Sequence, residues 1–259
     1  MRFGKLTAAA AAGLFALGLG AAQADDHMLR IGVEGAYPPF SEKTASGDLV
    51  GFDIDIANAL CAEMGKECTL VEQDWDGIIP ALQARKYDAI IASMSITEER
   101  QKVVDFTKKY YQTPAKFAAK KGAGLTDTPE GLAGKVIGVQ RGTIHDNYIS
   151  DIYPDSEIKR YGTQDEAYLD LQAGRVDAIL ADSIAISDGF LNTDAGAEYE
   201  FFGVDHTDPK YFGEGAGIAV RKGEDELREA LNAAIEAIRA NGTYEQINNK
   251  YFDFDIYGG

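Results

Sequence analysis

Basic residues, histidine, cysteine and tryptophan are all scarce in this chain. Its 259 residues include 25 Lys and Arg against 42 Asp and Glu, giving a formal net charge of −17. Nucleic-acid binding calls for a basic face, so that class is set aside. The plain reading of the acidity is solubility, and attraction of cationic solutes is a second, salt-screened effect. The histidines, His27, His145 and His206, are scattered, and no HExxH or CxxC spacing occurs. No metal and no cofactor are therefore expected. There is no GxxxxGK[ST] phosphate loop and no GxSxG elbow, and no histidine has an evident nucleophile partner. No catalytic constellation stands out in the sequence, though triads assemble in space and not along the chain. The two cysteines are Cys61 and Cys68. A disulfide is the first reading in an oxidising compartment, and a metal site is the weaker one.

The longest apolar run stands at the N-terminus. Arg2 and Lys5 precede "LTAAAAAGLFALGLGAA", and "AQA" occupies positions 22–24. A basic start, a short apolar stretch and an A-x-A site describe a secretory leader over 1–24, cleaved after Ala24. The run is short and Ala/Gly-rich for a membrane span, and nothing later approaches the roughly 18 apolar residues a span needs. No cysteine follows the cleavage site, so a lipid anchor is not expected. The destination implied is the periplasm.

Beyond the leader, strand and helix patterns alternate. "LRIGVEG" reads as a strand entering the turn "AYPPF". "GFDIDIANALCAEMG" reads as a helix, "CTLVEQ" as a strand, "DGIIPALQARK" as a helix and "DAIIAS" as a strand. After "DFTKKYYQTPAKFAAKKG" the alternation resumes: "KVIGVQ" strand, "TIHDNYISDIY" helix, "EIKRYG" strand, "TQDEAYLDLQAG" helix, "RVDAILAD" strand. Thr163 and Glu166 have capping-box spacing. "GAGIAVRK" is a further strand, and "EDELREALNAAIEAIRANG" an amphipathic helix carrying Leu227, Leu231 and Ile238. This is an α/β pattern with largely parallel sheets. Two segments, "LQARKYDAIIAS" (82–93) and "LQAGRVDAILAD" (171–182), align without a gap. They point to two similarly built lobes, with "KKYYQTPAKF" as a candidate crossover. The alignment sets Ser93 opposite Asp182, both at strand C-terminal ends, where open α/β sheets bind ligands.

"SMSITEER" carries the first candidate site. Ser95 and Thr97 fit a helix cap, and Glu98 and Glu99 suit a first turn. Arg100 does not, because a cation there opposes the helix dipole. It makes sense if it faces an anion that also uses the helix N-terminus. "GVQRGTIHDNY" offers Gly142 and Thr143 at another helix start, a second anion site or an ordinary βα turn. Asp182 is either a capping residue or a partner for an ammonium group. Together, Arg100 and Asp182 would grip the zwitterion shared by α-amino acids. Glu34, Tyr37 and Trp75 each follow a strand, and an acid between aromatic faces suits a guanidinium or ammonium.

With these motifs together, the chain after the leader resembles the periplasmic solute-binding proteins of polar amino-acid ABC transporters. The nearest types are the lysine/arginine/ornithine-, histidine- and arginine-binding members. The resemblance runs through "LRIGVEGAYPPF", "GFDIDIANALC", "DAIIASMSITEER", "GVQRGTIHDNY", "LDLQAGRVDAILAD", "YFGEGAGIAVRK" and "GTYEQINNKYFDFDIYG". It implies a type II, two-lobed α/β fold closing on a two-strand hinge. Residues 25–113 plus 213–259 would form one lobe and 114–212 the other. It implies that Arg100 grips the α-carboxylate with backbone N–H groups near Ser95 and Thr143–Ile144. Asp182, the Ser93 carbonyl and the Ser95 hydroxyl would meet the ammonium, Tyr37 and Trp75 would sandwich the side chain, and Glu34 would meet its distal cation. Asp53, Ala92, Gln140 and His145 join the set of ligand-binding candidates, and Cys61 and Cys68 match the family's disulfide. Ala92 stands where the lysine/arginine/ornithine type has serine, and Gln140 where it has an apolar residue. Glu34 and His145 look nearer the arginine type.

The resemblance implies a monomeric receptor for cationic amino acids, arginine first, then lysine, ornithine and histidine, delivering to an inner-membrane ABC permease. An opine-binding transport protein is the alternative, with a cyclohexadienyl dehydratase-like enzyme behind it.

Overall fold

The computed structural model describes residues 27–258. The leader and its cleavage site lie outside the described residues. Two five-stranded sheets organise the chain. The first runs in the order Glu67–Glu72, Met28–Val33, Ala89–Ile90, Ala216–Arg221, Val104–Tyr111. The second runs Glu157–Tyr161, Val136–Gln140, Ala178–Asp182, Ala115–Lys120, Tyr199–His206. In both, the first three strands are parallel and the fourth is antiparallel to its two neighbours. The chain therefore has a two-lobed α/β fold in which one sheet plan is used twice. The internal repeat has a physical basis here, since "DAII" and "DAIL" supply the third strand of their respective sheets.

The fourth strand of each sheet is what ties the lobes together. Ala115–Lys120 follows directly from the edge strand of the first sheet into the middle of the second, and Ala216–Arg221 returns from the second sheet to the first. Close packing at the return is enforced at Gly213. It has φ +71°, and a Cβ there would sit 2.1 Å from the Ile96 carbonyl oxygen. No side chain fits.

Parallel strands buried on both faces read as continuous apolar runs. Leu29, Ile31 and Val33 on one strand and Ala178, Ile179, Leu180 and Ala181 on another are all nearly inaccessible. The alternate face of the first strand carries Gly32 because the Tyr87 ring lies against it; a Cβ would meet that ring at 2.5 Å. The helix Asp225–Ala240 buries Leu231, Ala234, Ile235 and Ile238, one stripe at helical spacing. Each of its larger members contributes about 1.5–3 kcal/mol by burial. Phe40, held by the turn after the first strand, stacks on Tyr111 at 4.8 Å and lies edge-on to Phe52 at 6.3 Å.

Thr163 and Glu166 form the expected capping box on the helix Gln164–Gln172. Cys61 and Cys68 form a disulfide. One element differs from expectation. Strand pairing in "DAIIAS" stops at Ile90 instead of running to Ser93. Ser93 adopts a left-handed φ of +53°, which ends the ladder, and Ser95 rejoins the sheet through a bridge to Ala216. Among the described residues, no helix is long and apolar enough to cross a membrane.

Candidate functional site

A cavity of about 360 Å³ opens between the C-terminal ends of the two sets of parallel strands. Its size falls in the range typical of small-molecule sites. Glu34 and Tyr37 reach it from the turn after Met28–Val33, and Trp75 from the turn after Glu67–Glu72. Ala92, Ser93 and Ser95 reach it from the turn after Ala89–Ile90, and Arg100 from the short helix that follows. The second lobe supplies Gln140, Thr143, Ile144 and His145 beyond one strand and Asp182 at the end of another. Twelve of the thirteen ligand-binding candidates read from the sequence thus line one space.

Asp53 is the exception: it does not line the cavity. It is fully buried behind the wall, where it accepts hydrogen bonds from Tyr110 Oη at 2.8 Å and Ser93 Oγ at 3.0 Å. The Ser93 N–H donates to Tyr110 Oη at 3.0 Å. This clasp fixes the left-handed turn and keeps the Ser93 hydroxyl engaged in the protein. Burial pushes the Asp53 carboxyl up to about 7, opposed by those two hydroxyl donors.

Arg100 sits in the four-residue helix Glu98–Gln101, whose N-cap Thr97 accepts from the Arg100 N–H at 3.3 Å. The cap reading of "SITEER" is therefore right as far as it goes. The guanidinium donates from Nη1 to the Ser95 carbonyl at 3.0 Å and lies 5.2 Å from the centre of the Trp75 ring. Among the described residues, no carboxylate forms an ion pair with it. Burial lowers its pKa to about 10, far below the usual arginine value, yet it remains a cation at neutral pH. Most of its five donors are left for something else. Nearby, Thr143 caps the helix Ile144–Ile152 by accepting from the Asp146 N–H at 3.2 Å. The first N–H groups of that helix, on Ile144 and His145, have no intrahelical acceptor. His145 is buried, and burial followed by the nearby Arg100 charge lowers its pKa to about 3, so the ring is neutral.

Glu34 is the complementary feature. It is 7% exposed and accepts a hydrogen bond from Gln140 Nε2 across the cleft. Burial raises its pKa to about 7; the Gln140 bond works against this, while Asp165, Asp74 and Asp53 add to it. Among the described residues, no lysine or arginine neutralises it. Asp182 is a helix cap that also lines the cavity. Its Oδ1 caps the short helix Ser183–Ile186 by accepting from Ile184 N at 2.8 Å, its Oδ2 accepts from the Thr113 hydroxyl, and it lines the cavity. Burial pushes its carboxyl up to about 6 against those hydrogen bonds.

Sequence reading missed the walls contributed by the crossovers, including Tyr111, Thr113, Phe212 and Gly213. The crossover "KKYYQTPAKF" was legible, but not that its Thr113 would reach Asp182. Among the described residues there is no group of three side chains able to hold a metal ion.

Residues 29–254 match the bacterial extracellular solute-binding proteins, family 3. An L-arginine-binding protein of Pseudomonas aeruginosa is 58% identical over 91% of this chain and 92% of its own length. A histidine-binding periplasmic protein of Escherichia coli is 46% identical, covering 89% of this chain and 90% of its own. Among solved structures, a Salmonella typhimurium periplasmic binding protein described for high arginine specificity superposes with a TM-score of 0.81. It is 36% identical and covers 87% of this chain and 99% of its own. The two-lobed fold, the motifs and this coverage place the chain in family 3 of the bacterial extracellular solute-binding proteins.

Proposed function

We propose that this protein is the periplasmic receptor of an ABC importer for cationic L-amino acids, with L-arginine the first choice. One observation carries the reading: a single cavity holds a partly buried cation without a carboxylate, Arg100, and a buried carboxylate without a cation, Glu34. Uncompensated buried charges are costly unless paired. A ligand with a carboxylate at one end and a delocalised cation at the other neutralises both.

In this reading the α-carboxylate forms a forked pair with Arg100, and the helix start at Thr143–Ile144 adds N–H donors. Asp182, the Ser93 carbonyl and the Ser95 hydroxyl meet the α-ammonium. The aliphatic stem passes Tyr37 and Trp75, and the guanidinium ends at Glu34 beside Gln140. Residues 25–113 plus 213–259 act as one lobe and 114–212 as the other. They close on the ligand as a hinged two-state element whose closed form the permease recognises. The N-terminal 24 residues direct export and are removed. The 58% identical relative binds L-arginine by its name, which supports the same choice here.

The experiment is a thermal-shift panel over the common amino acids and two opines, octopine and nopaline. A ligand bound only by the folded state raises the midpoint. Arginine is expected to give the largest shift, then lysine, ornithine and histidine. A larger shift with an opine, or none with any cationic amino acid, refutes the assignment.

A further inference from the structure

The two lobes touch outside the cavity as well as within it. Gln140 ends its strand with its side chain in the cavity, so the next residue, Arg141, projects to the outer side of the same edge. In the facing lobe Trp75 lines the cavity and its neighbour Asp76 lies outside it, about half exposed. These two residues meet. Arg141 Nη2 and Nε both donate to Asp76 Oδ2, at 2.6 and 3.0 Å. Alongside, Trp75 Nε1 donates to the Gly142 carbonyl at 3.3 Å. Neither charged side chain borders the main cavity, and both are about half exposed, 51% for Arg141 and 45% for Asp76.

Other carboxylates near Arg141 are otherwise engaged. Asp146 accepts from Arg160 Nε at 2.8 Å, and Glu166 accepts from the Gly162 N–H at 2.8 Å and, in its capping box, from the Thr163 N–H at 3.3 Å. Asp76 is thus the acid available to Arg141, and it lies on the opposite lobe. The pair can exist only while the lobes are together.

We propose that Asp76–Arg141 is a closure latch, a pair of positioning residues that lengthens the bound state without contacting the ligand. The inference rests on the binding reading above but concerns a different property. A contact present only in the closed form raises the closed fraction, and apparent affinity rises in proportion. An exposed ion pair is worth little, so the latch contributes a factor of about two to five, expressed mainly in the dissociation rate. Because it does not touch the ligand, that factor is the same for every ligand, unlike any change at Glu34. Because it is exposed, salt weakens it.

The test uses Arg141→Gln, Asp76→Asn and the double variant of the full mature protein. Affinities for L-arginine and L-lysine are measured by calorimetry at low and high salt, and dissociation rates by stopped flow. Small-angle scattering reports the radius of gyration of the ligand-free forms. The expected result is a twofold to fivefold loss for each single variant, equal for both ligands, no greater in the double variant, and fading at high salt. The ligand-free variants should also be more expanded than the parent, with unchanged unfolding midpoints. Unchanged dissociation rates, a loss that differs between ligands, or additive losses in the double variant overturn the latch. If the parent binds no amino acid, the functional reading fails by itself. The latch is then decided by scattering, where equal radii for parent and double variant overturn it.

Discussion

Replacing Glu34 with glutamine separates recognition of the ligand's side chain from recognition of its backbone groups. The substitution keeps shape and retains an acceptor oxygen, so Gln140 still has an amide to bond. What is lost is the negative charge, in a place where water cannot substitute because the side chain is 7% exposed. Truncating one partner of a buried, hydrogen-bonded charge pair costs about 2–5 kcal/mol. The isosteric change belongs at the lower end, about 2–3 kcal/mol, which is roughly 30- to 150-fold in arginine affinity. L-Glutamine, with no distal cation, exchanges one neutral hydrogen bond for another and should change by less than about threefold. Calorimetric titration of both ligands into parent and variant reads the difference directly. Equal losses for arginine and glutamine, or an arginine loss below about fivefold, refute the role given to Glu34.

Other consequences follow from the same geometry. Glu34 is held near 7, so a bound guanidinium must drive it to ionise. Arginine binding is expected to release a proton around pH 6–7 and to tighten as pH rises through that range, measurable in buffers of different ionisation heat. Both Glu34 and Asp53 bind protons more tightly folded than unfolded, where carboxyls titrate near 4. The ligand-free protein should therefore lose stability as pH rises from about 4 to 7, and Glu34→Gln should flatten part of that slope in thermal unfolding. Arg100→Lys keeps the charge but loses the forked geometry, and should weaken every amino acid by about 1.5–3 kcal/mol regardless of side chain. A ligand-dependent loss in calorimetry would place Arg100 elsewhere. Gly189→Val puts a Cβ 3.2 Å from the Pro38 carbonyl oxygen across the cleft, so it should weaken all ligands alike while the unfolding midpoint of the free protein holds.

How much of this was legible in the sequence depends on where each contact closes. Short-range signals translated well. The apolar run of Ala178 to Ala181, the capping pair Thr163 and Glu166, and the stripe Leu231 to Ile238 each follow from neighbours within one element. The repeat at 82–93 and 171–182 was legible because identical sheet positions impose identical burial. Contacts closing over long separations were not. Asp53 reads as a helix residue, and only Ser93 and Tyr110, 40 and 57 positions away, show that it holds a turn behind the wall. Likewise Arg141 and Asp76 are 65 positions apart and meet only when two lobes do. The left-handed turn at Ser93 had no signal of its own, since serine gives no hint of a positive φ; Asp53 and Tyr110 impose it. Arg100 was the reverse case. A cation expected in the first turn of a helix marks it locally; the helix is a single turn with Arg100 in its last turn as well, and what the structure adds is a guanidinium with one carbonyl partner and a cavity in front of it.

The central claim is that one cavity pairs Arg100 with a carboxylate and Glu34 with a distal cation. A competition titration with L-arginine, L-glutamine and agmatine, which keeps the guanidinium but lacks the carboxylate, addresses both ends at once. L-Arginine should bind with one-to-one stoichiometry and outcompete both others by well over tenfold. Comparable binding of agmatine would remove the role of Arg100, and comparable binding of glutamine would remove that of Glu34.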